Sequence, residues 1–316
     1  MSARLPYLVD LAAKLHRGCA GLPEARRRRH IDFVLSHREP DGSYRGREGG
    51  GDLYYTAFAL RTLAMLGGLA GETEATAESL GAHDPRTLDP IDLANWLASV
   101  VAIQAAGGRD IVGPQAANVQ TLVVERLDAY RTGDGGFAKQ PVAETPRAGS
   151  SVYATFLATL AHELVGVLPP RPETITAMVL DRQRDDGGFV EIAPMRRSGT
   201  NPTAAAIVLL QRLGGLDRVH PDDLRDFFAD VRTDGGLAAN TRVPMADGLS
   251  TFTGLLACHD WLPILSPAAV RGFVAEQLEL PGGGCRAAGW DDTPDVEYTF
   301  YGLGCLALCE LDEAQH

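Results

Sequence analysis

The chain has 316 residues, of which 45% are hydrophobic and 22% charged, and it carries a formal net charge of −12. This acidic balance excludes a nucleic-acid-binding surface, which needs a dominating basic face. The length and composition suit one soluble domain with a large buried core.

The sequence shows no sign of a membrane span or a secretion signal. No apolar run reaches the length of a transmembrane helix. The stretch from Leu5 to Leu15 carries Asp10 and Lys14, so it predicts an amphipathic leading helix rather than a signal peptide. The five cysteines show no Cys-x-x-Cys spacing, which favours free thiols in a reducing compartment. We expect a cytoplasmic protein.

We predict a single domain in which helices alternate between an outer and an inner layer. A leading helix within residues 1–23 precedes repeated units at 24–311 and a tail at 312–316. The individual helices are predicted at Ala25 to His37, Tyr54 to Leu66, 89–105, 115–131 and Tyr298 to Leu311, with a surface loop or short helix at 71–84. No segment alternates with period two for long enough to predict a strand, so the fold is expected to be all-α.

A short phrase containing a glycine pair recurs along the chain. Asp-Gly-Gly followed by Phe or Leu occupies residues 134–137, 186–189 and 234–237, with weaker forms at 41–44 and 282–285. The first glycines of these pairs are 52 residues apart (135 to 187), then 48 (187 to 235) and 48 (235 to 283). The interval from 42 to 135 is about two such steps, which predicts a degenerate unit at 73–112. A fixed period of this size indicates stacked or ring-closed repeats.

Each phrase is followed by a small or hydroxyl residue that opens an apolar run. These residues are Thr56, Ala154, Thr203, Thr251 and Thr299. The runs are apolar nearly all round and about three turns long, so they predict buried inner helices. The stretches before the phrases are amphipathic and predict outer helices. The glycines supply the positive φ that a sharp helix exit needs.

These glycine turns, the period near 48, and inner helices that open with Tyr-Thr or Ser-Thr resemble the β subunits of protein prenyltransferases. The resemblance is closest to Rab geranylgeranyltransferase, extends more distantly to squalene and terpene cyclases, and covers residues 24–311. It implies an α/α toroid in which inner helices surround a central apolar cavity. It also implies an isoprenoid diphosphate as ligand, with its tail in the cavity and its diphosphate at the rim.

The resemblance further implies a zinc ion held by Asp, Cys and His, but two of these ligands are missing. Asp247 stands at the first position, whereas Leu249 replaces the cysteine and Tyr298 replaces the histidine. Leucine cannot bind zinc, and neutral tyrosine is a poor substitute for imidazole. We therefore expect no zinc and no zinc-dependent alkylation of cysteine. A helix N-cap is the favoured role for Asp247, since it lies four residues before Thr251.

Candidate ligand-binding residues lie where the resemblance places the rim and the openings of the inner helices. They are Arg196, Arg197, Arg242, Asp247, Tyr298, Thr203 and Thr251. Guanidinium groups beside helix N-termini suit a diphosphate. The alternative is that these loop arginines are simply exposed to solvent. No catalytic residue is assigned.

Two aspartate-rich stretches bear on other isoprenoid chemistry. Residues 183–186 and 289–292 each lack the leading aspartate of the Asp-x-Asp-Asp phrase with which cyclases of this superfamily protonate an alkene. Asp291, Asp292 and Asp295 match a magnesium-binding Asp-Asp-x-x-Asp phrase, so magnesium is expected only if these three act on a diphosphate. Pro294 favours instead a turn that leads to Asp295 as a helix cap.

Three functional interpretations remain open at this point. The leading one is a prenyltransferase-β-like protein that binds a long isoprenoid or its diphosphate. The alternatives are a terpene-cyclase-like enzyme and a non-catalytic lipid-binding or scaffold toroid. A protein partner would contact the outer helices, where the basic run at residues 26–29 is either solvated or turned toward a partner.

Overall fold

The computed structural model of this chain describes residues 5–71, 73–113, 116–145, 149–233 and 235–313. Asp234 of the third phrase, residue 115 of a predicted helix, and the outermost residues 1–4 and 314–316 lie outside these ranges. The α-helices of the described residues are α1 Tyr7–Cys19, α2 Glu24–Leu35, α3 Leu53–Leu66, α4 Glu74–Gly81, α5 Pro90–Ala105, α6 Ala116–Asp128, α7 Val152–Leu164, α8 Pro172–Leu180, α9 Thr200–Leu213, α10 Pro221–Val231, α11 Gly248–Cys258, α12 Pro267–Phe273 and α13 Val296–Glu313. Between them lie a 3-10 turn, Leu216–Arg218, a π-helical turn, Val274–Leu278, and two strands, β1 Arg232–Thr233 and β2 Gly236–Leu237.

The odd-numbered helices from α3 to α13 form a closed inner ring. Each packs against the next one, and α13 returns to pack against α3. The even-numbered helices form the outer layer, where α2, α4, α6, α8 and α12 pack on the inner helix that follows each in sequence. The predicted all-α toroid of helical hairpins is therefore confirmed. The segment left open as a loop or short helix at 71–84 contains α4, the outer helix of the degenerate unit.

A hydrogen bond inside each repeat ties the glycine turn to the inner helix. In five repeats the residue after the glycines donates its backbone N–H to a buried threonine hydroxyl, at 2.8 to 2.9 Å; the pairs are Tyr44 with Thr56, Phe137 with Thr155, Phe189 with Thr203, Leu237 with Thr251 and Cys285 with Thr299. The prediction of Ala154 as the opening residue of its unit was wrong by one position. Alanine has no acceptor, and Thr155 supplies the hydroxyl.

Short antiparallel pairings accompany these turns. In one repeat they form β1 and β2, with Arg232 opposite Leu237 and Thr233 opposite Gly236. In other repeats single bridges occur at the same place, for example between Gln183 and Phe189. The sequence predicted no strand because two paired residues are too few to produce a period-two pattern.

The first glycine of each turn lies against the next outer helix of the ring. Gly187 has a φ of +82°, and a Cβ added to it would lie 2.0 Å from the carbonyl oxygen of Asp223 in α10. Gly283, in the last repeat, approaches the carbonyl oxygen of Arg29 in α2 in the same way, since its Cβ would lie 2.4 Å from that atom. The last repeat thus docks on the first outer helix and closes the ring.

A charged cluster strengthens this closure. His30 Nδ1 accepts a hydrogen bond from the Gly284 N–H at 3.0 Å, so its Nε2 donates to Glu279 at 3.1 Å. Arg26 Nε donates to the same carboxylate at 3.0 Å. Burial alone would raise the pKa of Glu279, but the hydrogen bonds from His30 and Arg26 lower it to about 2. Part of the basic run at 26–29 therefore faces the last repeat of its own chain.

Helix α1 closes one end of the ring. It packs against α13, α3 and α7, which lie on opposite sides of the inner ring. The Tyr7 N–H donates to Glu163 Oε2 near the C-terminus of α7 at 2.9 Å, and Arg212 near the C-terminus of α9 donates to the Leu5 carbonyl at 2.9 Å. The leading helix therefore forms a floor beneath the C-terminal ends of the inner helices. The glycine turns stand at the other, open end.

We predict that Gly187→Ala destabilises the protein much more than Gly67→Ala. Both glycines have positive φ, but a Cβ at Gly67 would meet no atom within 4 Å. Left-handed backbone strain costs each variant about 1–2 kcal/mol, and overpacking against α10 adds about 1–3 kcal/mol at Gly187 alone. Urea denaturation followed by circular dichroism measures both. Equal losses in the two variants would contradict the proposed contact with the next outer helix.

Candidate functional site

The inner ring encloses a cavity of about 490 Å³. This volume lies in the range of small-molecule sites, roughly 300–1,000 Å³. Much of the wall is aliphatic; these side chains include Leu8 and Leu11 of the α1 floor, Leu157 and Leu160 of α7, Val208 of α9 and Leu256 of α11. The site is therefore a pocket with a floor rather than a channel through the ring.

A group of aromatic rings forms another part of the wall. Phe58 of α3 packs edge-on against Phe300 of α13, with 5.6 Å between ring centroids, and Phe252 of α11 packs against Phe300 at 5.3 Å. Tyr54 lies 5.0 Å from Phe58. Such contacts hold the rings in fixed orientations. The wall therefore offers a rigid, apolar surface to a ligand.

Glu297 lies at the start of α13 on the cavity wall, between two phenol groups. Its Oε1 accepts hydrogen bonds from the Tyr54 hydroxyl at 2.7 Å and from the Tyr301 hydroxyl at 2.9 Å. Burial raises the pKa of Glu297 above its ordinary value, although both hydrogen bonds oppose that shift. Burial also raises the pKa of both tyrosines, so the phenols remain neutral donors. Both phenols donate to Oε1, so Oε2 is the oxygen that is left to carry the proton of the neutral carboxyl group.

Arg61 of α3 also lines the cavity. Its Nη2 donates to Asn95 Oδ1 of α5 at 3.0 Å, and its guanidinium carbon lies 5.1 Å from the centre of the Phe58 ring. Burial lowers the pKa of Arg61. Together with Glu297 and its tyrosines, Arg61 and Asn95 give the cavity one polar region.

The predicted rim arginines lie away from the cavity wall. Arg196 and Arg242 are exposed on loops beyond the glycine turns, and Arg197 Nη1 donates to the Thr241 hydroxyl at 2.8 Å. The charged pair at the mouth is instead Lys139 and Glu191, with 3.2 Å between Nζ and Oε1. The structure does not bring the three predicted arginines together with the cavity-lining residues.

Thr203 and Thr251 are fully buried behind the wall, where their hydroxyls accept the hydrogen bonds of the glycine turns. Neither residue belongs to the cavity lining. A structural role accounts for both hydroxyls.

The position compared with a zinc site holds no suitable set of ligands. Asp247 is the N-cap of α11, and its carboxylate accepts from the Ser250 N–H and hydroxyl, each at 2.7 Å. The predicted cap role is therefore confirmed. Leu249 lines the cavity, while Tyr298 lies outside the lining with the Arg47 guanidinium 5.6 Å from its ring centre. Neither side chain there offers the thiolate or imidazole that zinc prefers.

The aspartates of the Asp-Asp-x-x-Asp phrase are engaged with an arginine. Arg47 donates to both oxygens of Asp291, at 3.1 and 2.5 Å, and its Nε lies 3.4 Å from Asp295. Asp295 also accepts from the Glu297 N–H at 2.8 Å, which confirms the predicted cap. Asp292 is exposed. Within the described ranges, no three His, Cys, Asp or Glu side chains are grouped as a metal ion would need.

Sequence reasoning missed the residues that form this polar region of the cavity, namely Arg61, Asn95, Tyr54, Glu297 and Tyr301. One signal was present, because Arg61 is the only charged residue in the otherwise apolar sequence of α3. A lone charge inside a buried helix is costly and therefore deserves a functional explanation. The others carry no such signal, since tyrosines and a first-turn glutamate are common in helices.

Comparison with known proteins gives a family and a set of similar folds. The family profile described as prenyltransferase alpha-alpha toroid domain matches residues 11–109, 96–262 and 250–316. A crystal structure of a protein from Actinoplanes is 17% identical, covers 92% of this chain and 100% of its own, and has a TM-score of 0.59. No curated protein matches at a significant level.

Two further structures with this fold come from enzymes of different classes. An inactive variant of an alpha-1,6-mannanase from Salegentibacter, bound to alpha-1,6-mannotriose, is 12% identical over 91% of this chain and 99% of its own, with a TM-score of 0.59. A type II terpene cyclase from Scytonema is 12% identical over 98% of this chain and 100% of its own, with a TM-score of 0.58. At these identities the similarity shows the fold alone. Within the described part of the chain, no helix is both long and apolar enough to cross a bilayer.

We predict that Glu297→Gln is more stable than the wild type at pH 8 and that this advantage disappears as the pH falls below 4.5. The folded state binds the Glu297 proton more tightly than the unfolded state, because the folded pKa lies above the ordinary 4.5. Ionisation therefore costs stability as the pH rises from 4.5 through the raised pKa. Glutamine can still accept both tyrosine hydrogen bonds. Urea denaturation at several pH values measures the difference, with the exposed Glu276→Gln as the control. A pH-independent difference would contradict the raised pKa.

Proposed function

The chain belongs to the prenyltransferase alpha-alpha toroid domain family, and we propose that it binds a long apolar, isoprenoid-type ligand inside its ring of inner helices. The observation that carries this proposal is the pocket of about 490 Å³ with aliphatic and aromatic walls and the α1 floor. Apolar area removed from water would supply the binding free energy, at about 0.8 kcal/mol for each buried methylene.

The chemistry of the wall favours this ligand over a sugar. An oligosaccharide needs hydrogen-bonding partners along its whole length, because each desolvated hydroxyl without one is costly. Arg61, Asn95 and Glu297 form the main polar region of the cavity. The other polar side chains of the wall are engaged with one another, Lys139 with Glu191 and Thr253 with Asn201, and the remaining wall is largely apolar. An amphiphile with a single head group matches this distribution.

The same cavity is poorly suited to zinc-dependent transfer to a cysteine. Leu249 occupies the place of the metal-binding thiolate, and the Asp247 carboxylate caps α11. A narrower relationship to Rab geranylgeranyltransferase and a cytoplasmic location stay predictions from the sequence. We place the function in ligand binding, with chemistry that requires no zinc site at this position.

We predict that Ala204→Trp weakens ligand binding at least tenfold. Ala204 lies on the cavity side of α9, so an indole there would displace several methylenes of the ligand. Losing two methylene contacts costs about 1.6 kcal/mol, which exceeds the roughly 1.4 kcal/mol of a tenfold change. Fluorescence titration with a dansyl-labelled farnesyl probe measures the affinity.

The matched control is Ala229→Trp, on the exposed face of outer helix α10. It should bind the probe as the wild type does, and circular dichroism should show unchanged helicity in both variants. Equal affinity of all three proteins would place the ligand outside the ring.

A second candidate function, acid-initiated cyclisation of the same ligand, rests on Glu297. A carboxyl group with raised pKa keeps its proton to a higher pH than an ordinary glutamic acid, and a proton donor must be protonated when the substrate binds. Oε2 would transfer its proton to an alkene carbon, forming a C–H bond and a carbocation that the ring's aromatic faces stabilise. The π electrons of a second alkene in the same chain then attack this cation, which forms the new C–C bond and moves the positive charge to the second alkene. Loss of a proton from a carbon beside that charge to water completes the cyclisation, and solvent reprotonates Glu297.

For this candidate we predict that Glu297→Gln abolishes product formation but changes probe affinity less than threefold. An amide cannot donate a proton of comparable acidity, whereas it preserves the shape of the wall. Incubation of the wild type with farnesol or geranylgeraniol, followed by gas chromatography, detects cyclic products. Cyclic products from the variant would remove Glu297 from this role, and a wild type that binds but never converts these substrates would leave simple binding as the function.

A further inference from the structure

Arg61 lines the cavity and has no carboxylate partner among the described residues, in contrast to Arg182 and Arg212, whose side chains are also largely buried. Arg212 pairs with Glu163 at 2.6 Å, and Arg182 pairs with Asp134 at 2.9 Å. For Arg61, the one hydrogen bond to a described residue is the 3.0 Å contact with Asn95, and the ionisable groups near it are tyrosines. A guanidinium has five N–H donors. Most of its donor capacity is therefore left for a ligand.

The position of Arg61 directs those donors into the cavity. It lies two turns below the start of α3, and the part of it that remains exposed belongs to the cavity wall. Asn95 beside it is nearly fully buried, and its Oδ1 is already occupied by Arg61. The amide NH₂ of Asn95 is a second donor at the same place.

An unpaired cation in this setting is energetically costly. Taking a guanidinium out of water without an opposite charge disfavours its charged form, and the lowered pKa of Arg61 reflects that cost. A leucine or methionine could occupy the same position in α3 without this cost of burying a charge. Since a bound anion would compensate the charge, the arrangement is explained by a ligand that brings its own negative group.

We propose that Arg61 and Asn95 bind the carboxylate head group of an apolar acid whose chain extends toward the α1 floor. This inference rests on the proposed function and adds the chemical class of the ligand. The planar guanidinium can donate two parallel hydrogen bonds to the two oxygens of a carboxylate. The head group thus lies inside the ring and not at the rim.

The charge balance of the cavity favours a carboxylate over a diphosphate. A diphosphate carries several negative charges, and Arg61 is a single unpaired cation in the cavity wall. The other cation of the lining, Lys139, is already paired with Glu191. A single negative charge is what this site can neutralise.

The test compares three ligands with the same fifteen-carbon chain, namely farnesoic acid, farnesol and farnesyl diphosphate. Isothermal titration at pH 7.5 measures each with the wild type and with Arg61→Met, Arg61→Gln and Arg61→Lys. The wild type should bind the acid at least tenfold more tightly than the alcohol. Arg61→Met and Arg61→Gln should bind acid and alcohol alike, while Arg61→Lys keeps part of the preference. Arg225→Met, which removes an exposed guanidinium on α10, should match the wild type.

The outcomes separate this inference from the function it rests on. A preference for the acid that persists in both Arg61→Met and Arg61→Gln would overturn the inference. The inference would also fall if the wild type bound the diphosphate more tightly than the acid and if replacing Arg196, Arg197 and Arg242 removed that binding. Binding of farnesol by the wild type without preference for the acid would overturn the inference and leave the proposed function standing. If the wild type bound none of the three ligands, both would fall. Thermal melting by circular dichroism identifies any variant that does not fold, and the remaining Arg61 variants still decide the outcome.

Discussion

The fold depends on one hydrogen bond that is repeated around the ring, from the backbone N–H after each glycine turn to a buried threonine hydroxyl. A buried N–H without a partner would cost about 1–3 kcal/mol, so this bond fixes the turn against its own inner helix. The first glycine of the turn packs closely against the next outer helix of the ring. Each hairpin is thereby held to itself and positioned against its neighbour by the same few residues.

The same glycine contact occurs between the last turn and α2, and it closes the ring of repeats. The closed ring encloses the cavity. The inner helices are apolar nearly all round, so most of their surface must be buried. The outer helices bury one face, and the neighbouring inner helices bury the two flanks. The centre of the ring stays open because α1 fills only its floor. A cavity of this kind has rigid walls, since its aromatic side chains pack against one another.

Charge is distributed unequally between the outside and the inside of this ring. The turns and helix starts hold arginines in carboxylate pairs, as Arg47 with Asp291 and Arg182 with Asp134. Inside, Arg61 lacks such a pair and Glu297 is held by phenols rather than by a cation. The polar region of the cavity therefore contains a cation without a carboxylate partner among the described residues, and the proposed acidic ligand rests on that imbalance.

The sequence by itself determined the repeat, the all-α helical hairpins and the helix caps, because glycine turns, apolar periodicity and aspartates before inner helices are local patterns. The closure of the repeats into a toroid was implied only by the resemblance to a known family. It missed by one residue the threonine that is hydrogen-bonded to the turn at 134–137, since Ala154 and Thr155 stand next to each other in the same apolar run. Tertiary structure alone decided which side chains face the cavity. Arg61 and Glu297 reach it because of the rotation of α3 and α13 within the ring, whereas Arg196 and Arg242 sit on loops that lead away from the wall. Helix rotation is set by packing between residues far apart in the chain, and a sequence pattern does not contain it.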